Sequence, residues 1–577
     1  MEIHYTIEKN AQIVLSLLKQ NNIRKVVASP GTSNVTLVAS MQSDSFFEMY
    51  SCVDERSAAY MACGLCAETG EPVVLTCTGA TASRNYLSAL TEAYYRKLPI
   101  LAITSSQAEV FIGAYSPQAI DRSVIQKDIA VFHTYLRTVR CDEENRLVTL
   151  RMNQAIHALY KHGGGPVHVD LETHSERDFS VKDLPVAKKI NFYDMDSELP
   201  QIPQGRILIF VGNHTAWSVE DTNLVDSFCA QYNGIVVCDH SSKYKGKYAV
   251  HVAIFGQGYM PEGLGATLRI HIGTVTADAQ GLKFSSNAPK EWRVSKDGEI
   301  RDVMRGTDSV FDMSERYFFK HYVTERGNKT EYLDACRKGY EIAMSKIPEL
   351  PFSNPWIAQQ LSGKLPLGSV LHTSIWNSTR SWNLFEIDES INSYCNSGGF
   401  GIDGVMSAAV GASFANPKKL YFCMIGDLAF FYDMNCLGNR HVGKNLRILL
   451  VNNGCGTEFK NYNNIAAPFG DKGSEFIAAM GHYGFKSRDL VKHFSVDLGF
   501  EYLSASNKEE FINVMNDFIN PQIEKSIVFE VFTNWEEESD ALKSINDAKS
   551  FKQKLTQTLA VHINTDTKNA IKKFLGK

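Results

Sequence analysis

Short runs of β-branched and aliphatic residues recur along the chain, each closed by Gly, Ser, Thr or an acidic residue. Between them lie longer stretches whose apolar residues return every three or four positions. In the first third the runs are RKVVASPG, EPVVLTCTG, LPILAITSS and GPVHVDLE. This alternation predicts parallel strands joined by crossover helices. A polar, Pro-containing stretch around residues 173–205 interrupts it. A second set follows with RILIFVGN, GIVVCDH and LRIHIGT and runs out in a charged region near 285–345. Beyond the Pro-bearing KIPELPFSNPW, which marks a boundary, come GSVLHTS, KLYFCMIGD, LRILLVNNG and KSIVFEVFT. The expected fold class is α/β: three consecutive doubly wound parallel-sheet domains over 1–180, 200–345 and 355–545, with a solvated amphipathic helical tail at 546–577.

Composition changes this picture little. The 577 residues exceed what one core accommodates, and 44% hydrophobic with 21% charged residues describes an ordinary globular chain. A formal net charge of -5 gives no electrostatic case for nucleic acid or an anionic membrane as partner. No apolar stretch is long enough to span a bilayer, and MEIHYTIEKNAQIVLSLLKQ has the pattern of an amphipathic helix carrying acids, unlike a leader; a cytoplasmic location is expected. The twelve cysteines sit mostly inside apolar runs, as buried free thiols do in a reducing compartment. Cys63 and Cys66 form a CxxC, but no second pair stands at zinc-ribbon spacing, so packing is their expected role.

In open parallel sheets, ligands bind beyond the carboxyl ends of the strands. None of the turns there carries GxGxxG: VVASPGTSN and IFVGNHTAW both lack it. The informative stretch is IGDLAFFYDMNCLGNRHVGKNLRILLVNNGCG, residues 425–456. A strand ending in Gly426 and Asp427 leads through a helical pattern to a second strand ending in Asn452 and Asn453. Both ends lie at one edge of the sheet, so Asp427 and Asn453 reach one point. A carboxylate, an amide oxygen and a nearby carbonyl are hard oxygen ligands suited to Mg²⁺, and the amides after Gly426 suit phosphate. Either residue alone would be an ordinary helix cap or turn residue.

Together they resemble the fingerprint of thiamine-diphosphate-dependent enzymes: Gly-Asp, an intervening helix, and Asn-Asn. Leu428 stands where many members have a second Gly. GDLAFFYDMN, SPGTSNVTL (29–37), DERSAAYMACGLCAETGEPVVLTCT (54–78), SPQAIDR (116–122) and YCNSGGFGIDGVMSAAVG (394–411) are similar to one branch, the menaquinone-pathway synthases that join 2-oxoglutarate to isochorismate. The matches cover the first and third domains; the middle one agrees only in general pattern.

The resemblance implies a thiazolium cofactor that supplies a C2 carbanion and accepts the electrons released by decarboxylation of a 2-oxo acid. It also explains SCVDERSAAYMACGL, where Asp54, Glu55 and Arg56 stand at the mouth of what looks like a buried helix. An unpaired carboxylate there costs several kcal/mol or a raised pKa. Glu55 matches the glutamate that bonds N1′ of the aminopyrimidine. Gln118 matches a polar residue near the reacting centre, and Ile402 the aliphatic residue that supports the cofactor's bent shape. Asp427, Asn453 and the carbonyl of Cys455 match the Mg²⁺ ligands, and Gly426, Leu428 and Ala429 flank the diphosphate. Thr78, Gly79 and Asn85 border the pyrimidine. The glutamate and the metal site come from different subunits in the family, which implies a homodimer or dimer of dimers. Some relatives carry FAD in the middle domain; no feature of this sequence requires it.

The branch grips its anionic substrates with several arginines. Here Ser33, Gln107, Ser378 and Ser397 stand at those positions, with Arg380 close by. Losing most bidentate carboxylate clamps costs several kcal/mol of substrate binding. The expected activity is therefore a decarboxylating carboligase, transferring an acyl carbanion equivalent from a 2-oxo acid to a less anionic acceptor. A simple 2-oxo acid decarboxylase is the alternative, weakened by the absence of an adjacent His-His pair. A non-catalytic cofactor-binding relative is disfavoured because Glu55, Asp427 and Asn453 are all present.

Overall fold

The computed structural model describes residues 4–286, 288–482 and 487–549. From residue 550 on, the expected tail lies outside the described residues. The chain divides into two compact units, Met1–Phe192 and Tyr193–Lys577.

The first unit is built on β1 (Lys25–Ala28), β2 (Glu48–Ser51), β3 (Val73–Thr78), β4 (Ile100–Ser106), β5 (Phe132–Leu136) and β6 (Val167–Glu172), all parallel, in the order β2-β1-β3-β4-β6-β5. Strand alternation assigns the faces. Val26, Val74, Leu101 and Val169 pack with the helices Lys9–Gln20 and Asp142–Ala158, whereas Val27, Leu75, Cys77 and Ala102 pack under Glu55–Thr69 and Leu87–Arg96.

The second unit holds two sheets. The middle one comprises β7 (Asn191–Tyr193), β8 (Ile207–Val211), β9 (Gly234–Cys238), β10 (Ala249–Val250), β11 (Leu268–Ile272), β12 (Lys290–Val294) and β13 (Thr307–Phe311), ordered β10-β9-β8-β11-β12-β13-β7. The last comprises β14 (Val370–Thr373), β15 (Asn392–Cys395), β16 (Tyr421–Gly426), β17 (Leu446–Asn452), β18 (Glu501–Ala505) and β19 (Ile527–Phe532), ordered β15-β14-β16-β17-β19-β18. That order repeats the first sheet's strand for strand.

Three parallel sheets appear as the sequence predicts, but the last two are not separately cored. Phe422, Met424, Leu449 and Val451 on one face of the last sheet belong to the same apolar cluster as Ile207, Ile209, Val236 and Ile270 of the middle sheet. The opposite face, with Cys423, Ile425, Ile448 and Leu450, forms its own cluster. All twelve cysteines are free, and burial pushes Cys63 and Cys66 up to about 11, which suits packing rather than reactivity.

His240, just after β9, ties the two sheets together. It is 3% exposed, and its Nε2–H donates to the carbonyls of Trp382 (3.0 Å) and Phe385 (2.9 Å). Burial pushes the imidazole down to about 4, so it is neutral in the folded chain. Its contribution is complete above about pH 6.5, the unfolded value, and is lost as pH falls toward the folded one. We expect thermal melts to show the Tm of the wild type dropping more between about pH 7 and about pH 5 than that of His240→Gln, which keeps a donor but cannot titrate. Equal acid limbs would show that the ring is already charged in the fold.

Candidate functional site

In the first unit, Glu55 opens the helix Glu55–Thr69, and the preceding Asp54 is the cap: its Oδ1 accepts from the Ser57 amide at 2.7 Å. The capping role is therefore filled, and the Glu55 carboxylate has no hydrogen-bond or ion-pair partner among the described residues. The helix is not enclosed, contrary to its sequence pattern. Ala58, Ala59, Ala62, Cys63 and Cys66 are buried, but Tyr60 and Met61 on the other face are each 48% exposed and Glu55 is half-buried. Small residues pack one face against the sheet and leave the other to be covered by something else.

At the end of β3, Thr78 shares a short hydrogen bond with Ser33. Gly79 is buried where a Cβ would meet the Ser105 carbonyl at 2.8 Å and Arg122 Nη1 at 2.9 Å, so only glycine lets the turn pass. Asn85 is exposed on the short helix Ala80–Asn85 and bonds the Thr81 carbonyl. Gln107 does not present its amide freely: Nε2 donates to the Pro117 carbonyl (2.8 Å) and Oε1 accepts from Ser116 (3.1 Å). It thereby fixes the segment carrying Gln118, an exposed residue held at φ +64°.

Beneath this edge lies a buried network the sequence reading missed. Asp170 on β6 accepts from Arg122 Nη2 (2.6 Å), Thr104 Oγ1 (2.7 Å) and His133 Nε2 (3.0 Å). Burial alone would raise the carboxyl, but the hydrogen bond from His133 and the neighbouring charge outweigh it and hold Asp170 down at about 2. His133, His168 and Asp170 have the spacing of a metal triad, yet Arg122 already supplies the positive charge. The one sequence signal was Asp in the middle of an apolar strand, GPVHVDLE.

In the second unit, Gly426 pairs with Val451 across β16 and β17, so the two chains leave the sheet side by side. Asp427, Leu428 and Asn453 line one cavity of about 260 Å³ with Asn452, Gly454, Phe431, His482, Arg488, Phe532 and Thr533. Ala429 is buried in the following helix, Asp427–Asp433. Asn452 Nδ2 donates to Glu530 (2.7 Å), while Asn453 Oδ1 accepts from the Cys455 thiol (3.9 Å). Asp427 is 5% exposed; Oδ1 accepts from the Leu428 amide (2.8 Å), while Oδ2 is buried with no hydrogen-bond partner among the described residues. Burial pushes its carboxyl up to about 6 despite the surrounding amides. An orphaned carboxylate oxygen beside an amide oxygen and the turn carrying the Cys455 carbonyl is a donor set that fits Mg²⁺. Arg488, whose guanidinium stacks 4.2 Å over Phe532, adds a cation to the rim that the sequence reading overlooked.

Ile402 packs partly buried against the last sheet's outer core. Ser378 and Ser397 are 3% and 2% exposed. Ser397 Oγ donates to the Val275 carbonyl (2.8 Å) and accepts from Asn213 Nδ2 (3.0 Å), so its hydroxyl joins the last sheet to the middle one. Arg380 is bound through two nitrogens to Glu458 (2.8 and 3.0 Å).

Comparison with known proteins finds one matching domain in each unit. Residues 8–126 match the family described as thiamine pyrophosphate enzyme, N-terminal TPP binding domain, and residues 377–531 match thiamine pyrophosphate enzyme, C-terminal TPP binding domain. The chain thus carries both cofactor-binding domains of a thiamine pyrophosphate enzyme. Among curated relatives, the 2-succinyl-5-enolpyruvyl-6-hydroxy-3-cyclohexene-1-carboxylate synthases of Bacteroides fragilis and Bacteroides thetaiotaomicron are each 28% identical over 93% of this chain and 98% of theirs. The enzyme of the same name from Flavobacterium psychrophilum is 26% identical over 91% and 96%. Among the described residues, no helix is long and apolar enough to cross a membrane.

Asp427→Ala removes a buried carboxylate that lacks one hydrogen-bond partner and, with it, the candidate Mg²⁺ ligand. We expect calorimetry to show Mg²⁺-dependent binding of thiamine diphosphate weakened by about 100-fold or more. The Tm without cofactor should stay level or rise, because an unpaired buried charge is removed. Wild-type affinity in the variant would exclude Asp427 as a ligand.

Proposed function

We propose that this protein is a thiamine-diphosphate- and Mg²⁺-dependent enzyme that decarboxylates a 2-oxo acid and transfers the acyl carbanion equivalent to an acceptor less anionic than isochorismate. The observation that carries the reading is Asp427, buried with one oxygen unpartnered among the described residues, at a shared strand edge with Asn453.

The roles follow from the residues. Asp427, Asn453 and the Cys455 carbonyl would hold Mg²⁺, with the Leu428 and Ala429 amides at the start of their helix turned to the diphosphate. When bound, the cofactor supplies a C2 carbanion and an electron sink. Glu55, free of the capping duty that Asp54 performs, would accept a hydrogen bond from the pyrimidine ring and hold its proton at N1′. Ile402 would support the cofactor from below, and Gln118, steadied through Gln107, would meet the reacting groups. The exposed Tyr60, Met61 and Tyr95, the last 70% exposed, suit burial against a second copy, in agreement with a homodimer in which one subunit's Glu55 serves its partner's metal site.

The acceptor reading rests on the state of the cations. Arg380 is bound by Glu458 and Arg122 by Asp170, and the Arg84 guanidinium reaches the Asp121 carbonyl at 3.0 Å. Neither Ser378 nor Ser397 can supply the charge that a buried carboxylate requires.

Glu55→Gln should leave the helix intact, since its cap is Asp54, and should slow H/D exchange at cofactor C2 by at least about 100-fold. Unchanged exchange would remove Glu55 from the mechanism. The holoenzyme should release CO₂ from some member of a 2-oxo acid panel and form a ligated product with a neutral aldehyde or ketone, while leaving isochorismate with 2-oxoglutarate unreacted. Efficient turnover of that pair would overturn the acceptor reading, and CO₂ release without any ligated product would favour the simple decarboxylase.

A further inference from the structure

A second cavity lies away from the Asp427 site, at the carboxyl ends of the middle sheet. It measures about 830 Å³. Its sheet runs outward in both directions from the β8–β11 pair, so this edge is the topological switch point where open parallel sheets take ligands. The wall is made by the residues that follow four adjacent strands: Asn213 after β8, Thr274 after β11, Lys296 after β12 and Glu315 after β13. Gly273, at φ +74°, lets the β8 and β11 ends close on one another: the Thr274 amide and hydroxyl both donate to the Asn213 carbonyl at 2.9 Å.

Charge pairing within the wall leaves a surplus. Asp221 is taken by Arg316 (2.6 Å) and Glu315 by His214 (3.0 Å). Lys243 and Lys296 have no carboxylate within ion-pair reach among the described residues. Lys243 is 7% exposed and sits at φ +54°, a backbone conformation unfavourable to a side-chain-bearing residue. Its Nζ donates to the His214 carbonyl at 2.6 Å and stands 4.1 Å from the centre of the Tyr394 ring. Asp239 is the carboxylate whose charge acts on it, and that group is engaged by Ser241, Ser242 and Thr276. A buried ammonium held in a strained turn, with no direct ion-pair partner among the described residues and facing a cavity, is an anchor prepared for an anion.

The same wall grips the last sheet. Asn213 Nδ2 donates to Ser397 Oγ and to the Cys395 carbonyl (3.3 Å), and Ser397 returns a bond to Val275. Tyr394, under Lys243, stacks on His372 at 5.1 Å. Segment 395–404 therefore starts at the cavity and ends beyond Ile402.

We propose that this cavity binds a small molecule bearing a carboxylate or phosphate group on Lys243 and Lys296, and that its occupancy alters the order of segment 395–404 through Asn213 and Ser397. The volume suits a small ligand, and the turn VGNHTAW lacks the glycines a dinucleotide needs. The binding claim is independent of the proposed reaction; the importance of the coupling rests on Ile402 serving the cofactor.

The test uses the full chain saturated with thiamine diphosphate and Mg²⁺, so that the Asp427 site is filled. Inorganic phosphate and succinate are titrated separately by calorimetry and by the fluorescence of Trp217, which lines the cavity. Saturable binding of either is expected, the stronger one identifying the anion type. Lys243→Gln should weaken it about tenfold or more and the exposed Lys296→Gln by a smaller factor, whereas Lys283→Gln, outside the cavity, should match the wild type. Bound probe should change amide exchange in 395–404, and Ser397→Ala should keep the binding while losing that change. The site is overturned by the absence of saturation up to about 10 mM, or by wild-type affinity in both lysine variants. The coupling is overturned if exchange in 395–404 is the same with and without bound probe. Neither failure touches cofactor binding or CO₂ release, which test the proposed reaction.

Discussion

The site depends on the register of two neighbouring parallel strands. Gly426 on β16 lies opposite Val451 on β17, and the ladder continues back to Tyr421 opposite Leu446. Because side chains alternate, this register places Cys423, Ile425, Ile448 and Leu450 in one core and Phe422, Met424, Leu449 and Val451 in another. A slip of one residue would turn both sets to the wrong face and part Asp427 from Asn453. Two apolar surfaces thus hold a polar pair in place. No side-chain hydrogen bond between Asp427 and Asn453 is needed, and Asp427 Oδ2 stays unpartnered among the described residues.

That arrangement stores unfavourable electrostatics. Burial pushes Asp427 up to about 6 and Glu538 up to about 7, and the two carboxyls act on one another. Glu538 is compensated by the Asn354 amide and the Thr533 hydroxyl, whereas Asp427 is left short by one partner. The deficit is tolerated because the last sheet shares a continuous core with the middle one, so local cost is spread over a large packed unit. It is a cost that a divalent cation bound as proposed would remove, which would couple cofactor binding to stability.

Much of this was legible in the sequence because parallel strands buried on both faces are written as uninterrupted apolar runs, and the residue that ends each run is the residue at the sheet edge. KLYFCMIGD and LRILLVNNG carried both the fold and the meeting of Asp427 with Asn453. Three features were hidden for one reason: their partners are distant in sequence. Asp170 is neutralised by Arg122, and Arg269 on β11 is neutralised by Glu291 on β12, at 2.9 Å. The common core of the last two sheets joins strands whose separate patterns look alike. The exposed face of Glu55–Thr69 was misread because Ala, Gly and Cys permit close packing on either side without saying which side is covered.

The first and last sheets have the same strand order, and the turn after the third strand of each lies at the corresponding edge: Thr78–Gly79 in one, Gly426–Asp427 in the other. Their chemistry differs in how cations are used. At the first edge, Arg122 is locked to Asp170 and packed against Gly79, so its charge is internal and stabilises the turn. At the last edge, one oxygen of the buried Asp427 carboxylate has no hydrogen-bond partner among the described residues, and Arg488 stands on the rim of the same cavity. One scaffold therefore yields two edges of different charge, one whose carboxylate is neutralised by an arginine and one with a carboxylate oxygen unpartnered among the described residues. Arg122 and Arg380 are both committed to the chain's own acids, Asp170 and Glu458, so under the proposed function recognition of the acceptor would fall to hydroxyl and amide groups.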